Sequence, residues 1–293
     1  SLIQEQRNII IIDKEDLQNK GYTTIQDVLQ NTQATFTYNG FNSPNIDIRG
    51  QGASASRAIK ILQNGVPINL TDSPFAYNRT PINALSIQNI EQVEIIPGGG
   101  AVLYGNGTRG GVVNIITKKS NKNHFSAMIG NVFSEPKGVS SMQNSPTIAL
   151  QGGINIKKVF VGLSGEYHDK NGYREGEKNR GYSLSSDIIY AINDSHRLSA
   201  NLNFYEEWLK FADGLTYAEL QSNRRQWKSG NSQNEMKKTN ASLSLNHNYR
   251  QNYDNDRNLT LDTTAFYAYD NNTYQHSAGY FFDNKAGLNF KSK

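Results

Sequence analysis

Residues 90–119 read IEQVEIIPGGGAVLYGNGTRGGVVNIITKK. Two β-prone runs, Gln92–Ile96 and Val112–Thr117, flank a stretch dense in glycine. Branched aliphatic residues suit a pleated backbone, and glycine admits the positive φ that tight turns need. Within the stretch, Gly105-Asn106-Gly107-Thr108-Arg109-Gly110 spells G-x-G-x-x-G. A dinucleotide site needs a strand before that motif, a helix directly after it and an acidic residue about 20 positions on. Val112–Thr117 is β-like and no helix opens, so the glycines are read as turn formers.

The residues before this stretch complete a small mixed unit, residues 1–120. Asn8–Asp13 is a nearly all-apolar strand, and such continuity predicts burial on both faces. Asp13 is placed to cap a helix over Lys14–Lys20, with Asp16 favourable near its start and Gly21 stopping it. Thr23 or Thr24 caps a second helix, with Ile25, Val28 and Leu29 on one apolar face. Asn45–Arg49 and Ile59–Gln63 are further strands.

Residues 121–293 change to a period of two. In His196–Trp208, Leu198, Ala200, Leu202 and Phe204 alternate with Arg197, Ser199, Asn201 and Asn203. Ala241–Arg250 and Leu259–Tyr269 repeat the pattern. About eight such segments occur, near 123–134, 145–158, 159–171, 180–192, 195–209, 237–250, 257–275 and 283–293. Globular strands average about 5–6 residues. Longer alternating strands with aromatics near their ends, short turns on one side and long polar connections on the other, match a transmembrane β-barrel.

Composition narrows the classes without choosing among them. The 293 residues contain no Cys, which excludes a disulfide scaffold, a Cys-ligated zinc site and a Cys nucleophile. Mean hydropathy is −0.65; no run of about 18 apolar residues exists, which excludes a membrane-spanning helix. A barrel survives because alternating strands average to a polar composition. The net charge of +4 points to no nucleic-acid partner. Ser1 is not a Met start, so the chain is read as a mature or trimmed product.

The 90–119 stretch, together with Thr24–Leu29, Ile46–Gly50 and Leu62–Ile68, resembles the plug domain of TonB-dependent outer-membrane receptors. The glycine run before Tyr104, and Gly110–Asn114, are most similar to the ferric dicitrate receptor branch. The resemblance implies an α+β plug followed by antiparallel transmembrane barrel strands, about 8 of an expected 22 or so. About eight strands cannot enclose such a plug, so the chain is read as an N-terminal fragment or the product of a truncated reading frame. It also implies active uptake of a ferric chelate (ferric citrate or a siderophore) without covalent chemistry or cofactor. The partners implied are TonB of the inner-membrane energy-coupling complex, outer-membrane lipid and lipopolysaccharide, and the chelate. Receptors for haem, a corrinoid or a nickel complex, and a non-transporting adhesin-like protein, are alternatives. Three features depart from the family pattern. Ser1–Arg7 is too short to show a TonB box, Pro97 stands where an Arg usually precedes the glycine-rich turn, and Gln30–Gln33 lacks the usual Pro-Gly.

The resemblance assigns the plug-motif glycines Gly50, Gly65, Gly98, Gly99, Gly105, Gly110 and Gly111. It places the ligand face at the plug apices, here Gln51, Ser54, Arg57, Asp72, Phe75, Tyr77, Asn78 and Arg79. Arg57 and Arg79 suit an anionic chelate because guanidinium pairs bidentately with carboxylate; the alternative is that both are solvated. Phe75 and Tyr77 line an aromatic pocket or pack against barrel loops. Glu166 faces opposite Val161, Leu163 and Tyr167, and face parity offers it as a lock for Arg49 of the plug. The five His form no metal-binding spacing; lumen lining is the plainer reading and a haem or nickel role the other. Arg224, Arg225, Trp227 and Lys228 lie in a basic connection read as solvated, or as facing an anionic ligand or lipopolysaccharide phosphate. No nucleophile–base pair is visible, so no enzyme is expected.

Overall fold

The computed structural model describes residues 9–22, 24–32, 35–38, 44–48, 50, 55, 58–68, 86–98, 104, 107–117, 122–135, 142–212, 214–227, 235–253, 258–274 and 280–292. It falls into two compact units. One joins Ser1–Lys118 with Asn171–Asn179 and Leu209–Met236; the other comprises Lys119–Lys170, Arg180–Trp208 and Lys237–Lys293. Two connections within the period-two region thus group with the first unit.

The first unit opens with β1 (Ile10–Asp13), α1 (Lys14–Asn19) and α2 (Ile25–Gln30). Asp13 Oδ1 accepts from the Asp16 backbone N–H at 2.9 Å, so the expected cap forms. Lys20 bridges Asp16 at 3.2 Å, and that hydrogen bond raises its pKa above the ordinary lysine value. Of the two candidate caps, Thr24 is the one used. Its Oγ1 accepts from Asp27 N at 3.1 Å, and Asp27 Oδ2 accepts from Thr24 N at 2.9 Å. This reciprocal box satisfies two otherwise orphaned donors. Thr24→Ala is expected to cost about 1 kcal/mol, seen as faster amide exchange confined to α2; unchanged exchange there would refute the capping role.

Strands β2 (Thr35–Tyr38) and β3 (Pro44–Asp47) pair as a two-stranded sheet. The main sheet uses β4 (Ile59–Gln63), β5 (Val66–Pro67), β6 (Ile90–Ile96) and β7 (Gly111–Thr117), with a 3-10 turn at Ile87–Asn89 before β6. Its order is β1-β6-β7-β4-β5. Strands β6 and β7 run antiparallel with Ile95 opposite Val113 and Val93 opposite Ile115; β4 and β7 run parallel. Ile25, Val28 and Leu29 of α2 join Val93, Ile95, Val113 and Ile115 in one fully buried core. The expectation for β1 needs correction: Ile12 is buried, but Ile11 is 55% exposed. As an edge strand β1 pairs only with β6, and its outward face carries no covering layer among the described residues.

The second unit is one antiparallel sheet in sequence order, β8 to β15. The strands are β8 (His124–Ser134), β9 (Gln143–Ile156), β10 (Val159–Asn171), β11 (Lys178–Ala191), β12 (His196–Lys210), β13 (Glu235–Asn252), β14 (Asn258–Tyr274) and β15 (Tyr280–Ser292). Each expected segment is present. The lengths run from 11 to 18 residues, well beyond the ~5–6 of globular strands. One face exposes Phe125, Ile129, Leu163, Leu184, Leu202 and Leu245. The opposite face buries Asn201, Glu207, Lys238, Asn240, Ser242 and Ser244. This is apolar-out, polar-in alternation. Among the described residues no helix is long and apolar enough to cross a membrane, which says nothing of strands.

Candidate ligand-binding site

The candidate ligand residues Gln51, Ser54, Arg57, Asp72, Phe75, Tyr77, Asn78 and Arg79 lie outside the described residues, as do Arg49, Gly99, Gly105 and Lys228. What the structure describes is the framework from which those segments spring. Residues 69–85 run between the β5 edge, extended by an Ile68 N to Ile61 O bond of 2.9 Å, and the 3-10 turn before β6. The segment with Gln51, Ser54 and Arg57 joins β3 to β4.

The framework is tied by the motif residues themselves. Asn64-Gly65 turns the β4–β5 hairpin with φ of 51° and 85°. Positive φ at both central residues is what the tightest hairpin turns require. The Asn64 amide then reaches across the sheet. Its Nδ2 donates to Thr117 Oγ1 at 2.8 Å, and its Oδ1 accepts from Thr117 N at 3.0 Å. Gly65 N donates to Asn114 Oδ1 at 3.2 Å, and Asn114 Nδ2 donates to Glu94 Oε2 at 2.9 Å. Gln92 Nε2 completes the set on Glu94 Oε1 at 2.8 Å. One connected polar network therefore joins Leu62–Ile68, β6 and β7, the segments carrying the sequence motifs. Sequence reading overlooked it, although the Asn-Gly pair between apolar runs was a usable turn signal.

The glycines at the start of β7 serve close packing. Gly110 N donates to Ala58 O at 2.7 Å. Gly111 has φ +137°, and a Cβ there would stand 2.8 Å from Ile96 O. β7 begins at Gly111 itself, so no helix follows the G-x-G-x-x-G run and the turn reading holds.

A family model of the TonB-dependent receptor plug domain matches residues 1–112. Residues 1–112 are a TonB-dependent receptor plug domain. The vitamin B12 transporter BtuB of Vibrio vulnificus is 24% identical over 214 residues, 70% of this chain and 33% of that protein. The probable TonB-dependent siderophore receptor PirA of Acinetobacter baumannii is 33% identical over 138 residues, 42% of this chain and 18% of that protein. The crystal structure of the unliganded ferric citrate transporter FecA aligns with a TM-score of 0.78 at 21% identity, covering 96% of this chain and 43% of that one. The fold is thus that of a plug domain followed by antiparallel barrel strands. The chain spans about a third or less of the length of these curated relatives.

Beyond the plug domain, the polar face of the strands holds paired charges. Lys238 Nζ lies 3.6 Å from Glu207 Oε2, with side chains only 3% and 5% exposed. Asn240 donates to Asp270 at 2.5 Å, and Asn201 donates to Asp187 and accepts from Ser244. Glu166 stands on this face, opposite Leu163 and Tyr167, as parity predicted. The described ion partner of Glu166 is His168 of the same strand, at 3.8 Å. Among the described residues no three His, Asp or Glu side chains gather as a metal site.

Over its described residues 214–227 the basic connection is folded on itself. It carries α3 (Tyr217–Ser222), closed by a capping box between Thr216 and Glu219. Gln226 Nε2 donates to Glu219 O at 2.7 Å, and Arg174 Nη2 from the β10–β11 connection donates to Gln226 O at 2.7 Å. Arg224 is exposed, as expected. Arg225 is not: only 5% of its surface is accessible. Nothing in the local sequence distinguishes the two arginines, because their fates depend on a loop about 50 residues earlier in the chain.

Proposed function

We propose that this chain is the plug and first barrel strands of an outer-membrane TonB-dependent active transporter that takes up a ferric chelate, ferric citrate or a siderophore. The observation carrying the reading is a plug domain followed directly by long strands with one apolar exposed face. Two amphipathic belts on that face support a bilayer position. Near the long connections, Tyr182 lies 5.8 Å from Phe204 and 5.9 Å from Trp208 (ring centroids), and Lys237 Nζ sits 5.1 Å from the Trp208 ring. At the short-turn end, His196 stacks on His247 at 5.3 Å and packs on Tyr249 at 4.8 Å. From His196 to Trp208 the strand climbs about 40 Å at ~3.3 Å per residue, or about 28 Å across a bilayer at the ~45° tilt of barrel strands. That matches an apolar band of about 25 Å. Amphipathic rings at both ends support a position against lipid and lipopolysaccharide.

In this reading the protein performs no covalent chemistry. TonB, energised at the inner membrane, rearranges the plug so that the bound chelate passes. The likeness to a vitamin B12 transporter over 70% of this chain favours a corrinoid as the second reading. The test is growth of a deletion strain on ferric citrate, on other ferric siderophores and on a corrinoid-dependent medium, with complementation by the intact gene. Restored uptake on an iron chelate is the expected result. Rescue by the corrinoid alone selects the second reading, and rescue on none of them removes the transporter.

A further inference from the structure

We propose that the apolar face of β8 to β12 carries a binding site for one anionic phospholipid of the leaflet at the short-turn end, an assignment that rests on the bilayer position proposed above. A groove of about 790 Å³ crosses this face, a volume within the range of small-molecule sites. Its walls are the exposed side chains of Phe125, Leu150, Leu163, Leu184 and Leu202. Two glycines open its floor. Gly152 stands opposite Phe125 of β8 and Leu163 of β10, and Gly165 stands opposite Leu150 of β9. Neither glycine has a positive φ, and the register runs through both without a bulge. Backbone conformation therefore does not call for glycine at either position. Glycine inside a strand weakens it, and often marks a place where something comes close to the backbone.

Depth and charge identify the occupant. The groove begins at the Ile154–Val161 pair, close to the β9–β10 turn at Lys157-Lys158. It extends to Gly165, which lies about 23 Å from Lys158 along the strand at ~3.3 Å per residue. At a strand tilt of ~45° that is about 16 Å of depth, close to half of a ~30 Å hydrocarbon core. The groove thus spans one leaflet, from its surface to the bilayer centre, and its aliphatic walls suit a hydrocarbon chain. Cations stand at the aqueous end. Lys157 and Lys158 are exposed. Lys158 Nζ donates to Ile192 O at 3.0 Å, a neutral carbonyl, and neither lysine pairs with a carboxylate among the described residues. Lys122, also exposed, precedes β8 at the same end, and Asp194 of the β11–β12 turn is the opposing acid. A lipid phosphate supplies the counter-charge that these lysines lack. Short turns face the periplasm, so the occupant is a phospholipid of that leaflet, and lipopolysaccharide phosphates lie on the other side. In a symmetric pair of chains crossing one bilayer, both sets of lysines would meet at one surface, which like charge disfavours.

The test places the intact protein in nanodiscs of phosphatidylethanolamine with phosphatidylglycerol as the minor lipid, then releases it into mild detergent for native mass spectrometry. Wild type is expected to retain one phospholipid, with phosphatidylglycerol enriched over its share by about fivefold or more, the scale of one well-placed lysine. Gly152→Leu fills the floor with an apolar side chain, and its Cβ has 3.4 Å to the nearest atom. It is expected to lower retention about tenfold, the scale of one or two methylenes removed from contact. Ser186→Leu fills the same groove from β11 and is expected to do likewise, which keeps the test open if one variant fails to fold. Lys157→Gln/Lys158→Gln keeps a lipid and loses the enrichment. Ala265→Leu, a similar enlargement on β14 outside the groove, retains lipid like wild type. The site is overturned if either folded groove variant retains lipid as wild type does, or if the double lysine variant keeps the enrichment. Equal loss in Ala265→Leu overturns it as well, since any added bulk would then suffice. Lipopolysaccharide retained in place of phospholipid overturns it, and so does a wild-type dimer that Gly152→Leu dissociates, which gives the groove to a second copy. Insertion of wild type with no retained lipid removes the site and leaves the transporter reading standing. Failure of wild type to enter nanodiscs removes both the site and the bilayer position on which that reading rests.

Discussion

Lys238→Met is expected to destabilise the strand unit by about 3–5 kcal/mol, the cost of leaving a buried partner charge uncompensated. Its Nζ lies 3.6 Å from Glu207 Oε2, and both side chains are almost fully enclosed. The inward positions of β13 explain the enclosure, since Met236, Lys238, Asn240, Ser242 and Ser244 are buried in alternation along the strand. Removing the cation strands a carboxylate among them. Removing both charges does not, because an apolar or neutral pair of similar volume is often tolerated. The double variant Lys238→Met/Glu207→Gln is therefore expected to recover most of the loss. Thermal unfolding in detergent, read as a double-mutant cycle, checks both statements. A single variant as stable as wild type would mean that the pair is screened by water and contributes little.

Gly111→Ala is expected to cost about 3 kcal/mol or more in the plug domain. Two separate causes add there. The φ of +137° belongs to backbone that residues with a side chain avoid, worth about 1–3 kcal/mol of strain. The new Cβ would also stand 2.8 Å from Ile96 O and 3.1 Å from Ile48 Cδ1. Both atoms belong to packed structure, so β6 and β7 must separate at their glycine-rich end. Gly65→Ala is the comparison. Its φ is +85° but its Cβ would meet nothing within 4 Å, so only the conformational term of about 1–2 kcal/mol applies. Hydrogen exchange of the β6 and β7 amides should accelerate strongly in the first variant and weakly in the second. Equal effects would show that the Ile96 contact is relieved at little cost.

Much of the fold was legible because short-range rules govern it. The eight long strands followed from period-two alternation, and every segment is present. Ile59–Gln63 is predicted with its observed bounds, because branched aliphatics end there at an Asn-Gly turn. A threonine cap at 23 or 24 followed from its spacing to the helix, and the structure selects Thr24. Other features were not legible. β5 is only two residues long, and β2 sits among turn-forming residues. The exposure of Ile11 depends on β1 lying at a sheet edge, a property of strand order. Burial of Arg225 depends on Tyr173 and Glu175, far earlier in the chain. The network through Asn64, Asn114 and Glu94 likewise joins residues 20 and 49 positions apart.

By itself the sequence determined the plug motif, the change of period near residue 120 and the alternation of the strands. Each is a local rule: glycine where φ turns positive, aliphatics in adjacent strands, and apolar residues on every second position. Tertiary structure alone decided which polar residues are paired and which are enclosed. Lys238 finds Glu207 because β12 and β13 run side by side. Arg225 is enclosed because two connections, separate in sequence, close on one guanidinium. Burial converts a common basic residue into a charge that needs a partner, and burial is set by what folds against it.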